Sequence, residues 1–211
     1  MVKQKITCPC TMVFSVDVDE EINLDSDPQQ IDKIMDGSFM NFICPGCGKK
    51  HKPEFPLMVL WPGKNVKLEV LGELERGEFY RRKKDIPGAD TIIGYPELAD
   101  RIAVIRDQLE PIAVEAIKYY LLLKAEESYP ETQVNIWYCG LGSAAPSQPE
   151  SLEFHLHGIR QDEIAVSRVP WNLYERMLID YRNNPRKELF TSLRVRSYLS
   201  VQNMLRPDAL K

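Results

Sequence analysis

Met12, Phe14, Val16 and Val18 alternate with Val13, Ser15, Asp17 and Asp19, the period-two pattern of a strand that buries one face. Asp25-Ser26-Asp27-Pro28 then reads as a helix start, with a capping residue and a proline in the first turn. Ile31, Ile34 and Met35 follow at helical spacing before Gly37. Phe39 to Ile43 reads as extended chain, and Phe55 to Trp61 with Val66 to Leu71 bracket the turn Pro62-Gly63-Lys64-Asn65, which predicts an antiparallel hairpin. From Pro96 the period changes. Leu98, Ile102, Ile105 and Leu109 recur at steps of four and three, and Pro111 opens a second run through Ile112, Ala116, Leu121 and Leu122, so an αα-hairpin is expected. Within it, the apolar stretch Tyr119 to Leu123 reads as buried core.

Beyond Thr132 the pattern returns to strands. Gln133, Asn135, Trp137 and Cys139 alternate with Val134, Ile136, Tyr138 and Gly140, and Ser151 to Ile159 does the same across a loop at 142–149. Ile164 to Val166 reads as a further strand, and Pro170 to Tyr181 as an amphipathic helix through Leu173, Met177 and Leu178. The last apolar run, Leu189 to Leu205, is expected to be strand as far as Val195 and helix from Ser197.

The chemistry in this pattern is concentrated in four cysteines, Cys8-Pro9-Cys10 and Cys44-Pro45-Gly46-Cys47. Soft thiolates offered as two close pairs supply the four corners of a tetrahedral metal site, each turn giving one edge. In the second turn Pro45 stiffens the chain and Gly46 and Gly48 relieve it; the first is one residue shorter and carries Thr11 where a glycine is expected. Buried structural cysteines or a disulfide pair are the bland readings. Scattered core cysteines rarely fall as two tight pairs around proline. Met1 to Thr7 holds no apolar signal segment, so the expectation is a cytoplasmic protein with reduced thiols. A thiol switch that holds zinc when reduced and forms disulfides when oxidised uses similar spacings and stays open.

These two cysteine pairs, the stretch Pro56-Leu57-Met58-Val59 and the helical segment Leu98 to Leu123 resemble the CpXC-domain proteins of bacteria and archaea over about the first 125 residues. The resemblance places Cys8, Cys10, Cys44 and Cys47 at the four motif positions. It implies a zinc-ribbon-like fold and no activity, the family being functionally uncharacterised.

Composition bounds the rest. A chain of 211 residues with 44% hydrophobic residues supports one large or two modest domains, and a net charge of -4 supplies no general field for nucleic acid or anionic membrane. Its longest aliphatic runs fall far short of the ~20 residues that span a bilayer. Basic residues cluster at Lys49-Lys50-His51-Lys52 and at Arg81-Arg82-Lys83-Lys84, the latter behind Phe79 and Tyr80, which makes nucleic-acid binding the alternative function. Glu153, His155 and His157 share one strand face, a pattern that a solvated face also gives. Cys139 with either histidine would be the one nucleophilic arrangement to weigh, against the default of a buried cysteine. No phosphate-binding loop, dinucleotide fingerprint, HExxH or nucleophile elbow is present, and four thiolates close a zinc site to water, so no catalysis is expected.

The expected fold is α+β. Residues 1–90 form a small antiparallel zinc-ribbon-like module with one short helix, and 91–211 form an αα-hairpin, antiparallel strands and C-terminal helices. The expected function is a structural zinc site in an interaction or scaffolding protein with an unidentified protein partner.

Overall fold

Every apolar stripe found in the sequence needs a partner surface, and the computed structural model, which describes residues 1–130, 132–142, 149–160 and 163–205, supplies it within two compact units, Met1–Ala99 and Asp100–Lys211. The division falls within a helix, nine residues after the boundary expected at 90.

In the first unit β1 (Val2–Thr7) and β2 (Val13–Val18) pair antiparallel, Thr7 opposite Val13, as a hairpin closed by the first cysteine turn. Next come β3 (Glu21–Asn23), α1 (Gln29–Met35) and a second, very short hairpin, β4 (Phe42–Ile43) with β5 (Lys50–His51), closed by the second cysteine turn. Strands β6 (Leu57–Trp61), β7 (Val66–Leu71) and β8 (Asp90–Ile93) complete the β structure, with α2 (Arg76–Arg81) between the last two. Helix α3 (Tyr95–Arg106) follows.

The expected β6–β7 hairpin is present, its turn closed by Asn65 in the left-handed region (φ 53°) that asparagine tolerates. The sheet around it is mixed rather than antiparallel: β3 runs parallel to β6 and β8 parallel to β7. As a central strand between β6 and β8, β7 buries three consecutive residues, Leu68, Glu69 and Val70, so both of its faces are covered. A buried carboxylate needs a cation. Arg82 forks onto Glu69 with two bonds of 2.6 Å and lies over the Phe79 ring. The acidic stretch before α1 also serves differently from the reading as a cap. Asp25 accepts the Gly63 N–H at 2.6 Å, tying down the β6–β7 turn, and among the described residues the start of α1 has no side-chain capping bond. Phe39 and Met40 turn rather than extend, so the strand before the second cysteine turn is only Phe42–Ile43.

In the second unit α4 (Pro111–Ser128) opens on its proline, as the pattern requires. Strands β9 (Asn135–Gly142), β10 (Ser151–Arg160) and β11 (Glu163–Pro170) form an antiparallel meander, and α5 (Trp171–Asn183) follows. The loop expected between β9 and β10 lies mostly outside the described residues. The terminal run reverses the expected order. Helix α6 (Glu188–Ser192) comes first, then a hairpin of β12 (Arg194–Val195) and β13 (Tyr198–Leu199), then α7 (Gln202–Leu205). Arg196 at φ 54° makes that tight turn, which no glycine in the sequence announces. Tyr119 to Leu123 is not the buried block expected: Leu122 is buried, while Tyr120 and Leu123 are exposed. Among the described residues no helix is long and apolar enough to cross a membrane.

The centre of this unit is ionic. Lys118 donates to Asp100 at 2.5 Å and to Glu115 at 2.7 Å, all three groups buried. The second oxygen of Asp100 accepts the Tyr138 N–H, and that of Glu115 accepts the Val201 N–H. Burial alone would lower the Lys118 pKa, but the two carboxylates beside it hold the ammonium above its ordinary 10.5. A cation raised in this way contributes stability that is fully present below pH 10.5 and lost as pH climbs through its folded value. Lys118→Ala, which strands two buried carboxylates, is expected to cost about 3–5 kcal/mol by urea denaturation at neutral pH. The gap from the parent protein should narrow above pH 10.5.

Candidate metal centre

Both cysteine pairs sit at hairpin tips, which is why two short turns can meet. The β1–β2 loop carries Cys8 and Cys10, and the β4–β5 loop carries Cys44 and Cys47. The turns are built alike. In the first, the Cys8 N–H donates to the Met12 carbonyl at 2.9 Å and the Thr11 N–H returns to the Cys8 carbonyl at 2.8 Å. In the second, Cys44 N–H donates to Lys49 and Gly48 N–H returns to Cys44, both at 2.9 Å. Thr11 and Gly48 adopt the same φ of 71°. The threonine that stands where glycine was expected therefore takes the glycine conformation, at the conformational cost that a β-branched residue incurs there.

This matched geometry brings the sulfurs together. Cys8 Sγ lies 3.5 Å from Cys47 Sγ and Cys10 Sγ 3.7 Å from Cys44 Sγ, so the nearest pairs join one turn to the other. All four sulfurs fall within 4.8 Å of one another, a set that can hold a metal ion. The first cysteine of each turn, Cys8 and Cys44, is buried, and the second, Cys10 and Cys47, is exposed. Met12 lies over Gly46 so closely that an added Cβ there would come within 2.9 Å of its Sδ and Cε and would displace the end of that flexible side chain.

The thiols do not share one acidity. Burial raises the Cys44 pKa, but amides of Cys47 and Gly46 and the neighbouring Cys8 and Cys10 thiols outweigh it and bring it down to about 7. At Cys8 the Cys10 amide favours the thiolate, yet burial and the three surrounding thiols push the group up to about 12. A cluster of four thiols resists holding four negative charges unless a cation shares the space.

The other candidates do not join this centre. Among the described residues the four cysteines are the one group of three or more potential ligands that converge. His51 stands edge-on to the Phe14 ring at 5.9 Å, and its Nε2 is buried with no hydrogen-bond partner among the described residues, so it is less exposed than a plain surface residue. His155 and His157 share a face with ring centroids 6.4 Å apart, while Glu153 is taken by Arg168 at 2.7 Å. Cys139 is the extra residue of a bulge, where Tyr138 and Gly140 pair with Phe154 and Glu153. Burial pushes its thiol up to about 11, leaving it protonated and a poor nucleophile at neutral pH. In the basic clusters, Arg82 is engaged by Glu69, Asp85 and Thr91, and Lys52 donates to the Gly37 carbonyl.

Sequence reasoning missed β1 and β5, one strand of each hairpin that presents the sulfurs. Val2, Gln4 and Ile6 point inward and Lys3, Lys5 and Thr7 outward along β1, an alternation present in the sequence but obscured by glutamine at an inward position. The two-residue β5 carries no pattern at all.

A family model described as CpXC protein matches residues 6–118, just over half of the chain. A protein of Treponema pallidum (strain Nichols) described as uncharacterized is 31% identical over 221 residues, covering 95% of this chain and 97% of its own length. No solved structure matches.

The strain at Thr11 is directly testable. Thr11→Gly should stabilise the first unit by up to about 1 kcal/mol in denaturant melts. Gly48→Ala, which meets no atom within 4 Å, should cost about 1–2 kcal/mol through backbone strain alone. Equal melting of both variants and the parent would contradict the shared turn geometry.

Proposed function

Since the chain belongs to the CpXC protein family, we propose that its cysteine motifs bind one zinc ion through Cys8, Cys10, Cys44 and Cys47, as a structural clasp in a protein-interaction or scaffolding module. The convergence of the four sulfurs carries this reading. Zinc with metal–sulfur bonds of about 2.3 Å places adjacent ligands about 3.8 Å apart in a tetrahedron, and the closest separations of 3.5 and 3.7 Å lie near it. Two cysteine turns at the tips of separate hairpins support reading the module as zinc-ribbon-like. A four-thiolate set leaves no coordination position for water or substrate, which favours a structural over a catalytic ion. Thiolates of this kind persist in reducing compartments, so the reading includes a cytoplasmic, bacterial protein.

A protein partner ranks ahead of nucleic acid in this reading because Arg82 is committed to Glu69, which leaves Lys49, Lys50 and Lys52 as the exposed basic residues beside the second turn. A redox role is the second reading, favoured by the cross-turn pairs. Peroxide would take two electrons from each thiol pair, giving one disulfide and two waters per pair, and release the ion.

Elemental analysis of the reduced protein should give one zinc per chain. Cys44→Ser should lower that content several-fold and unfold the first 75 or so residues before the rest in hydrogen exchange. Retention of full zinc and an unchanged melting temperature in that variant would remove the ligand assignment. Mild peroxide that forms cross-turn disulfides and frees the ion would support the redox reading, and zinc that stays bound would exclude it.

A further inference from the structure

The second unit carries an open groove of about 490 Å³ between α4 and α5 whose chemistry the metal centre does not use. On one side α4 presents Ile117, Tyr120, Leu121 and Lys124. On the other α5 presents Leu173, Arg176, Met177 and Asp180. Both sets follow the spacing i, i+3, i+4, i+7, the single stripe that a helix offers to a packing neighbour. Two helices packed side by side with matching stripes leave a trough into which a third helix fits by the same ridges and grooves. Tyr120 and Leu173 are each 45% exposed, so the trough presents apolar surface to solvent.

The charges around it choose the occupant. Lys124 and Arg176 enter no ion pair among the described residues. Asp180, the one acid in the lining, is already held by Lys187 at 2.5 Å. The groove therefore meets its ligand with an apolar floor and unbalanced positive charge. A second copy of the chain docking through the same surface would set one positively charged patch against another, which disfavours self-association there.

We infer that this groove binds an amphipathic helix of a partner protein, with apolar residues at i, i+3, i+4 and i+7 and acidic residues flanking that stripe to face Lys124 and Arg176. The inference deepens the interaction role proposed above and rests on it for the expectation of a partner, but not on the metal.

The test uses the full-length protein and two fluorescein-labelled, end-capped helical peptides of identical leucine spacing, one flanked by glutamate and one by lysine. Fluorescence anisotropy should show the glutamate peptide binding about tenfold more tightly at low salt. Combined Lys124→Glu and Arg176→Glu should invert that preference, and Leu173→Asp should abolish both, with circular dichroism and melting temperature unchanged because these side chains are exposed. Equal affinity for the two peptides, no binding of either, or binding that survives Leu173→Asp would overturn the proposal. Displacement of neither peptide by dodecanoate is expected, and dodecanoate binding in the absence of peptide binding would reassign the groove to an acyl chain and overturn it. Zinc content measured on the same samples separates the two readings. Peptide binding intact in a Cys44→Ser protein that retains its zinc would sink the metal assignment alone, and zinc loss in that variant with no peptide binding by the parent would sink only the groove.

Discussion

The contact on which the first unit depends is the approach of two hairpin tips whose nearest cysteines are 34 and 39 residues apart in the chain. Neither hairpin is large. Two-stranded ribbons are marginal in water, and the β4–β5 pair contributes only two residues from each strand. Their tips come within sulfur contact because the turns are mutually small: Met12 fits against Gly46, and both chains pass through a left-handed residue before leaving. Sulfur convergence and ribbon stability are thus one constraint, and the Phe14–His51 ring contact between β2 and β5 extends the same junction inward.

The second unit solves a different problem, how to fix one long helix in a single rotation. The first half of α4 is buried on nearly every side, and an all-apolar helix there would have many nearly equivalent ways to pack. Lys118 and Glu115, one turn apart, remove that freedom by demanding Asp100 and the Val201 amide as partners. Buried ionic groups of this sort trade stability for a defined arrangement. The second half of α4, where Tyr120 and Leu123 emerge, lies outside this constraint and is free to present apolar surface.

How far the fold was legible depended on whether a residue's role was local. The alternation in β2, the proline opening α4 and the period of α5 are set by neighbours in sequence, and each element stands within a few residues of its expected place. The paired cysteines were legible because a metal site of this type requires two ligands within one turn. What could not be read was pairing at a distance. Nothing in three residues of β3 states that they lie parallel to β6, and the burial of Glu69 is intelligible only once Arg82 is beside it. Arg82 itself looked like one member of a basic cluster offered to nucleic acid, because its neighbours Arg81, Lys83 and Lys84 are charged as well. The terminal run failed for a related reason. Leucines and valines there serve a helix, a turn and a hairpin in turn, and Arg196 adopts a backbone conformation that its side chain does not advertise.

The division of the sulfurs into an inner pair, Cys8 and Cys44, and an outer pair, Cys10 and Cys47, gives the cluster a front door. Anything that comes from solvent, whether a chelator, an electrophile or an arriving ion, meets the outer two atoms first, while the inner two stay sheltered by the hairpins. An ion held here as proposed would therefore leave from that side, the two accessible sulfurs letting go before the two sheltered ones.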